Sequence, residues 1–231
     1  MTGPIGFAHR GASAHAPENT MQAFRLALSM GAAGIETDVW MTADGVAVLH
    51  HGGSIRRRQI GRLAARDLPE RVPTLAELYD GCGTDLDLSL DLKDGRSAEA
   101  VVEVARAAGH DLRRLWLCGG VQAPLSWRSV DPVVRLVAGV DPRHAPPWPE
   151  LLDRLRAGGI DAVNVRRKHC STSLVDRVHD AGLLAFGWDA QWTRRIRALV
   201  ALGCDAIYSD HVDRLVAVLR EPVSSAKSGP R

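Results

Sequence analysis

Chemistry is concentrated where apolar runs of this sequence stop. The run Ile5–His9 leads directly into Arg10 and Gly11. An apolar strand that ends in His-Arg-Gly brings together an imidazole that exchanges protons near neutral pH, a guanidinium fork suited to phosphate, and a turn. Taken alone, the three also fit a surface His and Arg at the start of a loop. The run Gly34-Ile35-Glu36-Thr37-Asp38-Val39 is more telling. Side chains alternate across a strand, so Glu36 and Asp38 point the same way. Two carboxylates on one face inside a barrel repel and desolvate each other unless a cation sits between them, and a divalent metal is the simplest answer. A solvated polar face on an edge strand is the plainer alternative, but a closed barrel has no edge.

The run Leu86–Lys93 repeats the pattern. Leu86, Leu88, Leu90 and Leu92 fall on one face, expected to meet outer helices, and Asp87, Ser89, Asp91 and Lys93 on the other. Lys93 is one of only three lysines, with Lys168 and Lys227. An inward Asp91 two residues before it suggests a third metal carboxylate beside a phosphate-binding ammonium; a structural Asp–Lys pair is the alternative. His50 and His51 follow the Asp44-Gly45 turn signal and a short apolar run. They point to opposite faces, so one of them can face a site, and spacing does not say which. Trp188, after Leu183–Gly187, could wall a pocket or fill the core. Ser209-Asp210 could face a substrate or cap the helix that starts near His211, and the cap is the favoured reading. His15, His110, His144, His169, His179 and His211 have no partners at useful spacing and receive no role.

Positioning these strand ends requires a repeating scaffold, and the chain supplies one. Strand patterns at Ile5–His9, Gly34–Trp40, Val46–His50, Leu86–Lys93, Leu115–Cys118, Val133–Ala138, Ala162–Val165, Leu183–Gly187 and Ala206–Ser209 alternate with helical patterns from Met21 to Leu219. Glycines stand just past several helices, as at Gly31, Gly109, Gly182 and Gly203. About eight β/α units predict an α/β fold, a single (β/α)8 TIM-type barrel spanning residues 1–221, whose site gathers at the C-terminal ends of the strands. A doubly wound sheet is the rival, but no GxGxxG is present. The polar, Arg-rich stretch 52–72 is expected to be a loop insertion on the functional rim, and the tail 222–231 is expected to be disordered.

The 231 residues include 29 Lys+Arg and 27 Asp+Glu, a net charge of +2, which gives no support for a nucleic-acid partner. The chain has no apolar run long enough to span a membrane and no signal-peptide pattern at its start. Its four scattered cysteines read as reduced thiols, so a cytoplasmic protein is expected.

Several of these segments, in order, resemble one family. His9-Arg10-Gly11, Pro17-Glu18-Asn19-Thr20 with Phe24 and Ala27, Gly34-x-Glu36-x-Asp38-Val39, and Thr42-x-Asp44-Gly45-Val46 with His51 are similar to the glycerophosphodiester phosphodiesterases. Looser agreement runs through Val72-Pro73-Thr74-Leu75, Asp91-x-Lys93, Gly187-Trp188 and Gly203-Cys204-Asp205-Ala206-Ile207-x-Ser209-Asp210. The resemblance implies a (β/α)8 barrel with a small insertion after the strand that bears the second histidine. It implies His9 and His51 as general acid and base, one Mg²⁺ or Ca²⁺ held by Glu36, Asp38 and Asp91, and phosphate contacts from Arg10 and Lys93. His51 then matches the catalytic position and His50 an ordinary strand position. Trp188 falls on the substrate pocket.

Three departures from the pattern stand out. Gly52 replaces the Asp usual after the second histidine, Asp91 replaces Glu, and Trp188-Asp189-Ala190 replaces Trp-Thr-Val. The implied reaction is metal-dependent hydrolysis of a small glycerophosphodiester to glycerol 3-phosphate and an alcohol, within lipid and glycerol metabolism. The neighbouring glycerol hydroxyl would attack phosphorus to form a cyclic phosphate that water then opens. Two other readings are a lysophospholipase D-type reaction, with Arg56–Arg58 meeting an anionic lipid surface at the membrane periphery, and a degenerate phosphate-binding barrel.

Overall fold

The computed structural model describes residues 3–221. Eight parallel strands form the barrel: β1 (Ile5–His9), β2 (Gly34–Met41), β6 (Asp87–Leu92), β7 (Leu115–Gly120), β8 (Arg135–Val140), β9 (Ala162–Arg166), β10 (Leu184–Trp188) and β11 (Ala206–Ser209). The sheet closes because β1 pairs with both β2 and β11. Outside it lie α1 (Met21–Ser29), α2 (Leu75–Cys82), α3 (Ser97–Ala107), α4 (Gln122–Trp127), α5 (Trp148–Ala157), α6 (Thr172–Asp180), α7 (Thr193–Ala201) and α8 (Val212–Leu219). The β/α repeat predicted this closed barrel. The tail expected to be disordered lies outside the described residues.

Alternation along each strand builds two apolar layers. Outward residues such as Ile35, Leu88, Leu90 and Leu117 are buried against the helices. Inward residues Phe7, Trp116, Cys118, Val137, Phe186 and Tyr208 plug the barrel, with Phe7 and Tyr208 stacked 4.9 Å apart. Ser89 lies within hydrogen-bond distance of Tyr208 Oη, at 3.1 Å, and so ties that plug to β6. The plug is the floor of the site, and the next inward position on each strand stands above it.

The run Val46–His50 is not a barrel strand. Its centre, β3 (Ala47–Leu49), folds back antiparallel on the end of β2. The insertion after it is more ordered than a loop. Ser54–Ile55 (β4) and Arg58–Gln59 (β5) form a hairpin, followed by single 3₁₀ turns at Ile60–Arg62 and Ala65–Asp67. Arg56 and Arg57 make its turn at φ 49° and 66°, a two-residue left-handed geometry that matches strand twist. Ile55, Ile60 and Val72 pack with Val48 beneath it, while Arg56, Arg57 and Arg58 face solvent.

One buried residue here tunes stability. His110 is 5 % exposed beside the Tyr79 ring, and both of its ring nitrogens are buried without partners. Burial pulls its pKa below the ordinary value near 6.5. A depressed folded-state pKa means that the unfolded chain takes up the proton first, so this stability is present above the ordinary value and is lost as pH falls below it. His110→Phe therefore unfolds at higher denaturant than the parent at pH 5, with a smaller gain at pH 8, in guanidinium titrations at both values. Equal gains at the two pH values would refute the assignment.

Candidate active site

A cavity of about 400 Å³ opens at the C-terminal mouth of the barrel, and all eight predicted site residues line it: His9, Arg10, Glu36, Asp38, His51, Asp91, Lys93 and Trp188. Strand register explains the convergence. His9 is paired with Glu36 across β1 and β2, and Asp38 with Asp91 across β2 and β6. Side chains pointing inward from one register level must therefore meet.

The turn after β1 is shaped for this meeting. Arg10 adopts φ 56°, which aims its backbone N–H at Glu36 Oε2, 3.0 Å away. Gly11 follows at φ 75°, and a Cβ there would lie 2.7 Å from the backbone of Ala23. The chain can turn so tightly against α1 only through glycine. Arg10 Nη1 bonds Glu18 at 2.8 Å, and its Nε lies 3.3 Å from Asp38 Oδ2 in a charge contact that lacks hydrogen-bond alignment.

Asp38 is the hub, only 2 % exposed. Its Oδ1 is 3.0 Å from Lys93 Nζ, and its Oδ2 accepts from Asn19 Nδ2 at 3.1 Å and lies 3.3 Å from His51 Nδ1. Burial raises the pKa of this acid, but Lys93, Arg10 and Asn19 outweigh burial and hold it below the ordinary carboxylate value. Lys93 also pairs with Asp91. Burial would lower the pKa of the ammonium, but the two acids overcome this and raise it. Glu36 lacks such a cation. Burial, with Asp38 and Asp91 adding repulsion against the attraction of His9, pushes it up to about 7.

The site answers the question about the histidine pair. His51 is the one at the cavity, while His50 turns away, its Nδ1 bonded to the Gly52 carbonyl at 2.6 Å. Gly52 leaves room, since a Cβ there would meet His50 Cε1 at an ordinary 3.5 Å. Trp188 is 37 % exposed at the mouth rather than buried in the core. The Arg166 guanidinium lies 5.4 Å above its ring, held in place by Asp189 at 2.7 Å.

Two residues of the site were not assigned from sequence. Asp210, expected with Ser209 to cap the last helix, instead turns into the barrel and lies 2.6 Å from His9 Nδ1. His211 occupies the N-cap position, and only the Ser209 hydroxyl serves the helix start, accepting from the His211 N–H at 3.1 Å. The reason is closure: β11 runs beside β1, so the first inward residue past β11 is within reach of His9. Burial pulls the His9 pKa down, but Glu36, 3.7 Å from Nε2, and Asp210 together raise it above the ordinary value. The second residue is Asn19, buried at φ 53°, which accepts from Thr37 Oγ1 at 2.6 Å while it donates to Asp38. Its signal was its place in Pro17-Glu18-Asn19-Thr20, since Asn tolerates left-handed backbone better than most residues.

Glu36, Asp38 and Asp91 can each direct one oxygen into a volume in which these atoms lie within 4.8 Å of one another. Three carboxylate oxygens suit a hard divalent cation such as Mg²⁺ or Ca²⁺. With three acids against Arg10 and Lys93, and with Glu36 forced towards protonation, the donor set fits such an ion.

Residues 9–86 match the model of the glycerophosphoryl diester phosphodiesterase family. YhdW of Bacillus subtilis, which carries the same enzyme name, is 25% identical over 90% of this chain and 95% of its own length. The glycerophosphodiester phosphodiesterase of Caldanaerobacter subterraneus is 34% identical over a shorter stretch, 38% of this chain and 44% of its own. Among solved structures, an Oleispira antarctica phosphodiesterase in complex with its product sn-glycerol-3-phosphate superposes with a TM-score of 0.82 at 22% identity, covering 94% of this chain and 96% of that one. With its ordered motifs, its barrel and a likeness to YhdW that runs along nearly the whole chain, the protein is similar to the glycerophosphodiester phosphodiesterases.

Proposed function

We propose that this protein hydrolyses small glycerophosphodiesters to glycerol 3-phosphate and an alcohol, with His9 and His51 as base and acid and with one divalent cation held by Glu36, Asp38 and Asp91. The observation that carries the reading is the pair of imidazoles flanking the carboxylate cluster in one cavity. When bound there, Mg²⁺ or Ca²⁺ would polarise a phosphoryl oxygen and make a nearby hydroxyl more acidic.

The protein's own groups supply the rest. Arg10 and Lys93 draw negative charge off the phosphate as it develops on the attacking and leaving oxygens. With Nδ1 committed to Asp210, His9 keeps Nε2 free to take the proton of the substrate's glycerol hydroxyl as that oxygen attacks phosphorus. The bond to the alcohol oxygen breaks, and His51, its side chain 49 % exposed at the rim, gives that oxygen a proton as the alcohol leaves. Water then opens the cyclic phosphate, with the two histidines exchanging roles. Trp188 lines the same cavity at its exposed mouth, where its ring would meet the substrate.

The test is release of glycerol 3-phosphate from glycerophosphocholine and glycerophosphoethanolamine with Mg²⁺, with Ca²⁺ and with chelator, beside His9→Ala. Metal-dependent release that disappears in the variant is expected; turnover insensitive to both chelator and mutation would sink the mechanism. No turnover of either substrate by the parent would sink the reaction itself. A lipid-bearing substrate is the second reading, favoured by three solvent-facing arginines, Arg56, Arg57 and Arg58, on the hairpin that follows His51. Turnover of lysophosphatidylcholine faster than glycerophosphocholine would select it. Among the described residues no helix is long and apolar enough to cross a membrane, and all four cysteines are free thiols. A reducing, cytoplasmic setting is part of the proposal.

The far wall of the cavity offers a further contact. Asn164, on β9, lines it with an Oδ1 that is buried and has no partner. A buried acceptor left unpaired is costly, and a rotation of the amide that turned it to the cavity would let a substrate hydroxyl satisfy it. Asn164→Leu should raise KM about three- to tenfold and leave kcat within about threefold, because one neutral hydrogen bond is lost in ground state and transition state alike. A fall in kcat at constant KM would contradict this placement.

A further inference from the structure

Three side chains that the proposed chemistry leaves unused meet on the surface. His15 stands in the loop after β1, and His211 and Asp213 stand at the head of α8. His15 Nε2 is 3.0 Å from Asp213 Oδ1, His211 Nδ1 is 3.9 Å from the same oxygen, and the two rings meet edge to face at 5.9 Å. One donor atom from each lies within 4.8 Å of the other two. A four-coordinate zinc ion, with bonds of about 2.0–2.2 Å, spaces its ligand atoms roughly 3.4 Å apart. The two separations to Asp213 straddle that value, so small rotations of exposed side chains would complete the geometry.

The donor set indicates the class of ion. Imidazole nitrogens favour borderline first-row ions such as Zn²⁺, whereas Mg²⁺ and Ca²⁺ prefer oxygen. Connectivity indicates the consequence. His15 lies in the loop whose Ala14 N–H donates to the Asp210 carbonyl at 3.2 Å and whose Ser13 hydroxyl donates to the His9 carbonyl at 2.8 Å. His211 directly follows Asp210. The three ligands therefore belong to the two segments that carry His9 and Asp210.

We propose that His15, His211 and Asp213 form a second metal site, separate from the carboxylate cluster, which takes one zinc-class ion and fastens the loop after β1 to the head of α8. The site leaves a fourth position open to water.

The experiment uses the full chain, stripped with chelator, returned to excess Mg²⁺ and titrated with Co²⁺ as a visible stand-in for zinc. One equivalent should bind with the visible absorption of an imidazole-ligated ion, and Zn²⁺ should displace it. Zinc at about a hundred times its Kd should raise Tm by roughly 5 °C. His15→Ala and His211→Ala should each weaken Co²⁺ binding at least about tenfold, since even outer-shell partners of a metal matter that much. His15→Gln keeps a hydrogen-bond donor for Asp213 but no imidazole, and it should lose the metal while folding normally. His15→Ala should leave Mg²⁺-supported turnover unchanged. Absence of binding, binding unaltered by the His15 and His211 variants, or binding lost only in Asp38→Asn would each overturn the proposal. The titration reads metal directly, so it stands or falls independently of which diester the protein cleaves.

Discussion

Asp210→Asn should lower kcat by about a hundred- to a thousandfold while KM and Tm stay near the parent values. The carboxylate lies 2.6 Å from His9 Nδ1, close enough to fix the tautomer that leaves Nε2 unprotonated. An amide in the same place can offer its NH₂ to Nδ1 and select the opposite tautomer, in which Nε2 holds a proton and cannot act as a base. In serine-protease triads the equivalent change costs about 10⁴ in kcat. The loss here should be smaller, because the Asp210 side chain is 35% exposed and water can partly replace it. The check is steady-state kinetics on glycerophosphocholine with a thermal melt as control. His9→Ala combined with Asp210→Asn should be no slower than His9→Ala alone, since the two act as one unit. A single-variant effect under about threefold would remove His9 from the role of oriented base.

Asp38→Ala should abolish measurable turnover and destabilise the fold by about 2–3 kcal/mol. Removing it deprives Lys93 and Arg10 of their shared buried acid and leaves the Asn19 amide without its acceptor. Removing one partner from a buried ion pair typically costs about 3–5 kcal/mol. The lower figure applies because Lys93 keeps Asp91, Arg10 keeps Glu18, and both cations are partly exposed. The sign with pH is fixed as well. Asp38 has a depressed folded-state pKa, so its contribution is present above the ordinary carboxylate value and is lost as pH falls through the folded one. Guanidinium unfolding at pH 7 should therefore separate variant from parent clearly, and unfolding near pH 3 should bring the two closer. A separation that is constant with pH would mean the side chain matters for packing rather than charge.

How much of this was visible in the sequence depends on how far apart the partners lie. Glu36 with Asp38, and Asp91 with Lys93, are two residues apart on one strand, and period-two alternation alone puts each pair on one face. His9 was legible for the same reason, as the last residue of an apolar run. Asp210 was not, because its partner lies 201 residues away and only the pairing of β11 with β1 brings them together. Ser-Asp before a helix also satisfies the pattern of a cap, so local evidence favoured the wrong role. The hairpin at 54–59 was missed because its turn is Arg56-Arg57 rather than the Asn-Gly or Asp-Gly that normally announces such a bend. The six-residue α4, with Pro124 inside it and no capping side chain, offers too short a period to detect.

Closure of the sheet through β1 and β11 also orders events in time. On the ribosome β1 emerges before the other barrel strands, and one of its edges must wait for residues 206–209, which are made last of them. Until they dock, that edge has unsatisfied backbone groups and is open to wrong partners. Pairing over so long a sequence separation also makes barrel completion slow. A nascent chain stalled before residue 206 would already carry His9, His51 and the acid cluster, yet its first histidine would have no carboxylate to orient it. Catalytic competence in this protein should therefore appear abruptly, with the final strand.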